Sequence, residues 1–133
     1  MGYTHYWVLS EEPSREKFVE FAEGVKQIVE TAKDAGIAIA DEEYGDTLIV
    51  FNGVGADSHE SFYVSADGVD FNFCKTAQKP YDIAVTASLI HAKKVFGDKI
   101  KISSDGDWSD WDGGKLLYET VYDIQPECVF DKA

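Results

Sequence analysis

The sequence predicts an α+β fold: a mainly antiparallel sheet with two or three helices on one face, a single-domain sandwich over residues 1–133. Short runs of β-branched and aromatic residues alternate with period two, while longer apolar stripes recur at three- and four-residue spacing. Their order is strand, helix, strand, two strands, helix, strand, helix, which suits helices packed on one side of a sheet. At 133 residues, with 44% hydrophobic and 14% aromatic content, one domain can bury a substantial core.

Tyr3 to Leu9 reads as the first strand, with Tyr3, His5 and Trp7 on one face and Thr4, Tyr6 and Val8 on the other. Ser10-Glu11-Glu12-Pro13 supplies helix-start chemistry. The stripe Phe18, Phe21, Val25, Ile28, Val29 and Ala32 then predicts a helix of about five or six turns, stopped by Gly36. Ile37 to Ala40 is expected as a short strand, Asp41 to Asp46 as an acidic loop, and Thr47 to Asn52 as a buried strand. Ser61–Ser65 and Val69–Lys75 are two further strands, joined by the hairpin signal Ala66-Asp67-Gly68. The strands Tyr3–Leu9, Thr47–Asn52, Ser61–Ser65 and Val69–Lys75 are expected to share one sheet. Asp82 is expected to cap a second helix that ends at Phe96 and Gly97. Ile100 and Ile102 mark a short strand. A tryptophan-bearing acidic loop over 103–114 follows, then a last helix over Lys115–Tyr122 and a tail through Pro126.

The net charge is −13, from 12 basic and 25 acidic residues, so direct nucleic-acid binding is not expected. The charge is unevenly spread: residues 75–101 hold six lysines against two aspartates, a local +4. Solvated helix lysines account for such an island as readily as a ligand does. No apolar run reaches membrane-spanning length, and the N-terminal residues lack the basic and apolar regions of a signal peptide. Cys74 and Cys128 are too few for a disulfide framework. These features predict a cytoplasmic location with no membrane partner.

The corner Phe71 to Asp82 carries the densest polar chemistry. It passes from an alternating strand through Pro80 to a helix start, where side chains and N–H groups can meet an anion. On the strand, Asn72, Cys74 and Thr76 oppose Phe71 and Phe73, and so polar a set is expected on an open face beside His5 and Trp7. That face would suit a planar polar ligand or a second subunit. His5, Trp7, Asn72, Lys75, Thr76, Lys79 and Tyr81 are therefore candidate ligand-binding residues, with Ser103, Ser104 and Asp105 at the rim. Asp82 argues against a phosphate on the helix terminus, because its carboxylate should fill the first N–H groups. Gly53-Val54-Gly55 is too short for a phosphate loop. His5, His59 and His91 form no zinc pattern. Asp105-x-Asp107-x-Ser109 imitates a calcium loop, but Asp110 stands where glycine is needed and Leu116 where the bidentate Glu belongs. No metal or cofactor is expected, and Cys74 reads as inert packing.

Three blocks, Gly2 to Trp7, Phe71 to Asp82 with Val85-Thr86-Ala87, and Ser103 to Gly106, resemble a family of small, uncharacterised bacteriophage and prophage proteins. The resemblance implies an accessory role in the host cytoplasm and assigns no catalytic residue. It favours a binder that sequesters a nucleotide-like anion, such as a host immune signal. The alternatives are a metal-independent phosphodiesterase using His5 or His59 with Lys75, and an acidic DNA mimic that occupies a defence protein. A mimic needs a continuous acidic ridge, whereas a binder needs the lysine island beside a concave aromatic pocket.

Overall fold

The computed structural model describes residues 3–67 and 71–130. Strand β1 (Thr4–Leu9) leads to helix α1 (Arg15–Asp34). Ser14 caps that helix by accepting the Lys17 N–H, just after the Ser10–Pro13 cluster, and Glu16 lies at its positive end. The Phe18, Phe21, Val25, Ile28 stripe is fully buried. Gly36 follows the helix at φ +98°, a backbone state that costs glycine little.

Strands β2 (Ala40–Tyr44), β3 (Leu48–Asn52) and β4 (Phe62–Ser65) form one antiparallel sheet in the order β2-β3-β4. Strands β5 (Phe71–Lys75) and β6 (Ile100–Ser104) flank β1 in a second, ordered β5-β1-β6 and also antiparallel. Helices α2 (Asp82–Phe96) and α3 (Asp112–Tyr122) complete the α+β fold. The inner sides of both sheets and the three helices share one core, where the Trp7 ring of β1 meets Phe62 of β4 at 5.3 Å. Among the described residues no helix is long and apolar enough to cross a membrane.

Four expectations need correction. The single sheet is two, and the break falls between β4 and β5, the strands assigned to a hairpin. β4 pairs with β3 and β5 with β1, while a Glu60 N–H to Lys75 carbonyl bond links the segments. A turn signal specifies a reversal of direction; it does not oblige the flanking strands to share a ladder. Gly68, Val69 and Asp70 of that hairpin lie outside the described residues. The acidic run expected as a loop is instead β2, because Glu43 and Tyr44 ladder with Val50 and Ile49, and Glu42 pairs with Lys33 of α1 at 2.5 Å. Helix α3 starts at Asp112 rather than Lys115. Its Gly114 permits close approach to α2, since a Cβ there would lie 1.9 Å from Thr86 Oγ1.

The fourth correction concerns the faces. Phe71 and Phe73 are 60% and 55% exposed, whereas Cys74, Thr76, His5 and Trp7 are buried. The polar set of β5 turns toward the helices and the aromatic set toward solvent. The polar side chains are tolerated inside because they find partners on other elements: Thr76 Oγ1 donates to Asp82, and the Cys74 thiol meets the Glu60 and Ser61 carbonyls at 3.5 and 3.6 Å.

Candidate functional site

The ends of β1 and β6 and the start of α2 meet the strand-to-helix corner at a buried polar array. His5, fully buried, receives the Ser104 hydroxyl at Nδ1 (2.8 Å) and donates from Nε2 to Asp82 Oδ1 (2.6 Å). This tautomer is inferred from the partners, because a carboxylate oxygen accepts. Thr76 Oγ1 donates to the same Asp82 oxygen at 2.5 Å. Ser104 Oγ in turn accepts the Gly106 N–H (3.0 Å) and the Trp111 Nε1–H (3.3 Å). The rings of Tyr3 and Trp111 close edge-on around the imidazole at 5.1 and 5.0 Å. Ala77 and Gln78 turn the corner at φ +53° and +56°, a region that ordinarily costs a non-glycine residue about 1 kcal/mol or more. The N–H groups of Thr76 and Ala77, both bonded to the Tyr3 carbonyl, hold it there.

Serine, histidine and aspartate stand in the order of a hydrolytic relay, yet the chemistry available is that of a lock. Both lone pairs of Ser104 Oγ are occupied by N–H donors, so attack on a substrate would first require a bond to break. His5 has no exposed surface through which a substrate proton could reach it. Asp82 is the first residue of α2 and makes no side-chain cap. Its carboxylate serves His5 and Thr76, a correction to its expected role.

The ten candidate residues are scattered. His5, Thr76 and Ser104 belong to the array. Trp7 and Tyr81 lie in the core, where the Tyr81 hydroxyl donates to the Glu60 carbonyl at 2.5 Å. Asn72 stands opposite Trp7 in the β1–β5 register. Lys75 shares the parity of Phe71 and Phe73 on the outer side of β5, and its N–H donates to Glu60 Oε1 at 2.7 Å. Lys79 is half-buried in the corner. Ser103 lies exposed beside Tyr6, and Asp105 accepts from the Thr4 N–H and the Tyr6 hydroxyl, both at 3.0 Å. They do not surround one pocket. Burial first, then the Glu60 and Asp82 charges, pushes the Cys74 thiol up to about 12, so it stays an inert neutral group. Asp107 and Asp110 cap the short 3₁₀ turn Trp108–Trp111 reciprocally. Among the described residues no three His, Cys, Asp or Glu side chains gather as metal ligands.

A cleft of about 420 Å³ lies elsewhere, between α2, α3 and residues 124–129. None of the ten candidates lines it. Ile90, Tyr118 and Val129 form a nearly buried floor. Lys93 stands at the wall with Nζ donating to the Ile100 carbonyl at 2.9 Å, and Lys94 is exposed with no ion pair among the described residues. Glu127 and the free thiol of Cys128 complete the rim. The cleft exists because the tail folds back: Val129 is buried and Phe130 bridges in parallel to Ile102. Lys93 and Lys94 belong to the lysine island, but the sequence pointed to Lys75 and Lys79 as its ligand-binding members, and nothing in the tail's composition marked this cleft. Compared with family models, curated proteins and solved structures, the chain matches none.

Proposed function

We propose that the protein binds and sequesters a small, nucleotide-like anion in the cleft between α2, α3 and residues 124–129, without cleaving it. The observation that carries this reading is the position of Lys93 and Lys94, two members of the lysine island, on the wall of this concavity. Its volume suits a small organic ligand. On a chain of net charge −13, an anion is repelled from most of the surface and favoured near a local cluster of cations. The floor of Ile90, Tyr118 and Val129 offers apolar contact to a base, and Lys94 offers a point charge to a phosphate. Among the described residues that line the cleft only Glu127 carries a carboxylate and none is a histidine that could share proton transfer with it, which favours binding over phosphodiester cleavage. The resemblance to small phage proteins agrees with a host immune signal as the ligand.

Calorimetric titration with a panel of cyclic and linear nucleotides tests the reading. Lys94→Ala should weaken binding about tenfold, the scale of one charge-assisted contact, while Lys75→Ala should leave it unchanged. Ligand recovered after denaturation should be intact. Absence of heat with every nucleotide would contradict the proposal, and cleaved product would replace it with the phosphodiesterase.

A further inference from the structure

Gln125 and Pro126 line two clefts at once. One is the cleft of Lys93 and Lys94; the other, of about 220 Å³, is bounded by Trp108 and by Asp112, Lys115, Leu116 and Glu119 of α3. Their apolar parts are alike. The first pairs Tyr118 with Ile124, an aliphatic side chain 49% exposed. The second pairs the half-buried Trp108 with Leu116, which is 66% exposed. Each pair offers apolar contact to one flat ring.

Their charges differ. Among the described residues that line them, Lys93 and Lys94 stand against Glu127 in the first, whereas Lys115 stands against Asp112 and Glu119 in the second. Lys115 Nζ is already committed to Asp112 at 2.6 Å and to the Trp108 ring at 4.8 Å. A phosphate is therefore favoured in the first cleft and repelled from the second. What suits the second is an uncharged ring with N–H donors, because carboxylates only accept. A nucleobase with an exocyclic amino group has that chemistry. Pro126 brings no N–H, so a ligand lying across it strands no donor. At 220 Å³ the second cleft falls below the ~300 Å³ of an ordinary ligand site, which makes it an extension of the first.

We infer that the ligand is a dinucleotide: its phosphates and one base occupy the first cleft, and its second base crosses Gln125 and Pro126 into the second. The inference rests on anion binding in the first cleft and adds the size of the ligand. Calorimetric titration with a linear adenine dinucleotide and the matching mononucleotide tests it. Wild type should bind the dinucleotide about tenfold more tightly, the scale of one added base on an aromatic side chain. Trp108→Ala should abolish that advantage. Because Trp108 also packs on Trp111 and Phe130 at 5.8 and 5.7 Å, Leu116→Ser, at an exposed position, serves as the second variant and should weaken the dinucleotide several-fold more than the mononucleotide. Lys94→Ala should weaken both ligands alike. Equal wild-type affinities, or a dinucleotide affinity unchanged in both Trp108→Ala and Leu116→Ser, would overturn the inference while leaving the first cleft as the anion site. No binding of either ligand would overturn both.

Discussion

Replacing His5 by phenylalanine separates the hydrogen bonds of the buried array from its packing. The new ring occupies the space between Tyr3 and Trp111, so little cavity is created. Two bonds are lost. The one to the Asp82 carboxylate should contribute about 1.5–3 kcal/mol, and the one from the neutral Ser104 hydroxyl about 0.5–1.5 kcal/mol. Asp82 keeps 14% of its side chain exposed, so water can reach the freed oxygen and pulls the total toward the lower half of the range. Ser104 also retains its Gly106 and Trp111 donors. The expected loss is ~2–4 kcal/mol, a large share of the 5–15 kcal/mol that holds an ordinary domain folded. Urea unfolding followed by tryptophan fluorescence measures it, with the slope unchanged if the native and unfolded states keep their compactness. A loss below ~1 kcal/mol, within the range of surface substitutions, would refute the claim that the array locks the corner.

Phe21→Ala should cost roughly 3–5 kcal/mol in the same assay, because the ring is fully buried against Phe18 and Phe96. Ser104 should not react with a fluorophosphonate probe, read by intact-protein mass, since both of its lone pairs are occupied; stoichiometric labelling would reinstate a hydrolytic reading. His91 gives a pH dependence. It is buried between the rings of Phe21 and Tyr122, at 6.0 and 5.1 Å, with neither nitrogen hydrogen-bonded among the described residues. Burial lowers its proton affinity. The Glu20 carbonyl, which approaches outside hydrogen-bond geometry, and the Glu20 carboxylate offset part of that effect. The unfolded chain therefore holds a proton that the folded chain refuses. Stability from this group is complete above the unfolded value of about 6.5 and declines as pH falls below it. His91→Phe should flatten the urea midpoint between about pH 5 and 7 relative to wild type, and an unaltered slope would exclude the assignment.

The helices were legible because a period of 3.6 identifies both the element and its buried side: the Phe18–Ala32 stripe faces the core, as its spacing requires. Strand alternation separates two sets of side chains without saying which lies inside. Polarity pointed the wrong way for Asn72, Cys74 and Thr76, because the inward position of Thr76 depends on Asp82, His5 and Ser104, groups far apart in the chain. The same limit applies to Asp82, whose local sequence describes a helix cap while its tertiary partners claim the carboxylate. Sheet membership was illegible for a related reason, since pairing of β5 with β1 rests on contacts some seventy residues apart. The cleft was half visible. Lys93 and Lys94 belonged to an evident basic island, but its opposite wall is the tail, whose docking through Val129 and Phe130 has no periodic signature.

Amide chemical-shift mapping during a nucleotide titration locates the bound ligand on the fold. Binding in the cleft predicts shifts concentrated at Ile90–Lys94, Tyr118 and Gln125–Val129, with the residues from Lys75 to Asp82 largely unmoved. Shifts clustered at the Lys75–Asp82 corner and on β1, with the cleft residues silent, would contradict it.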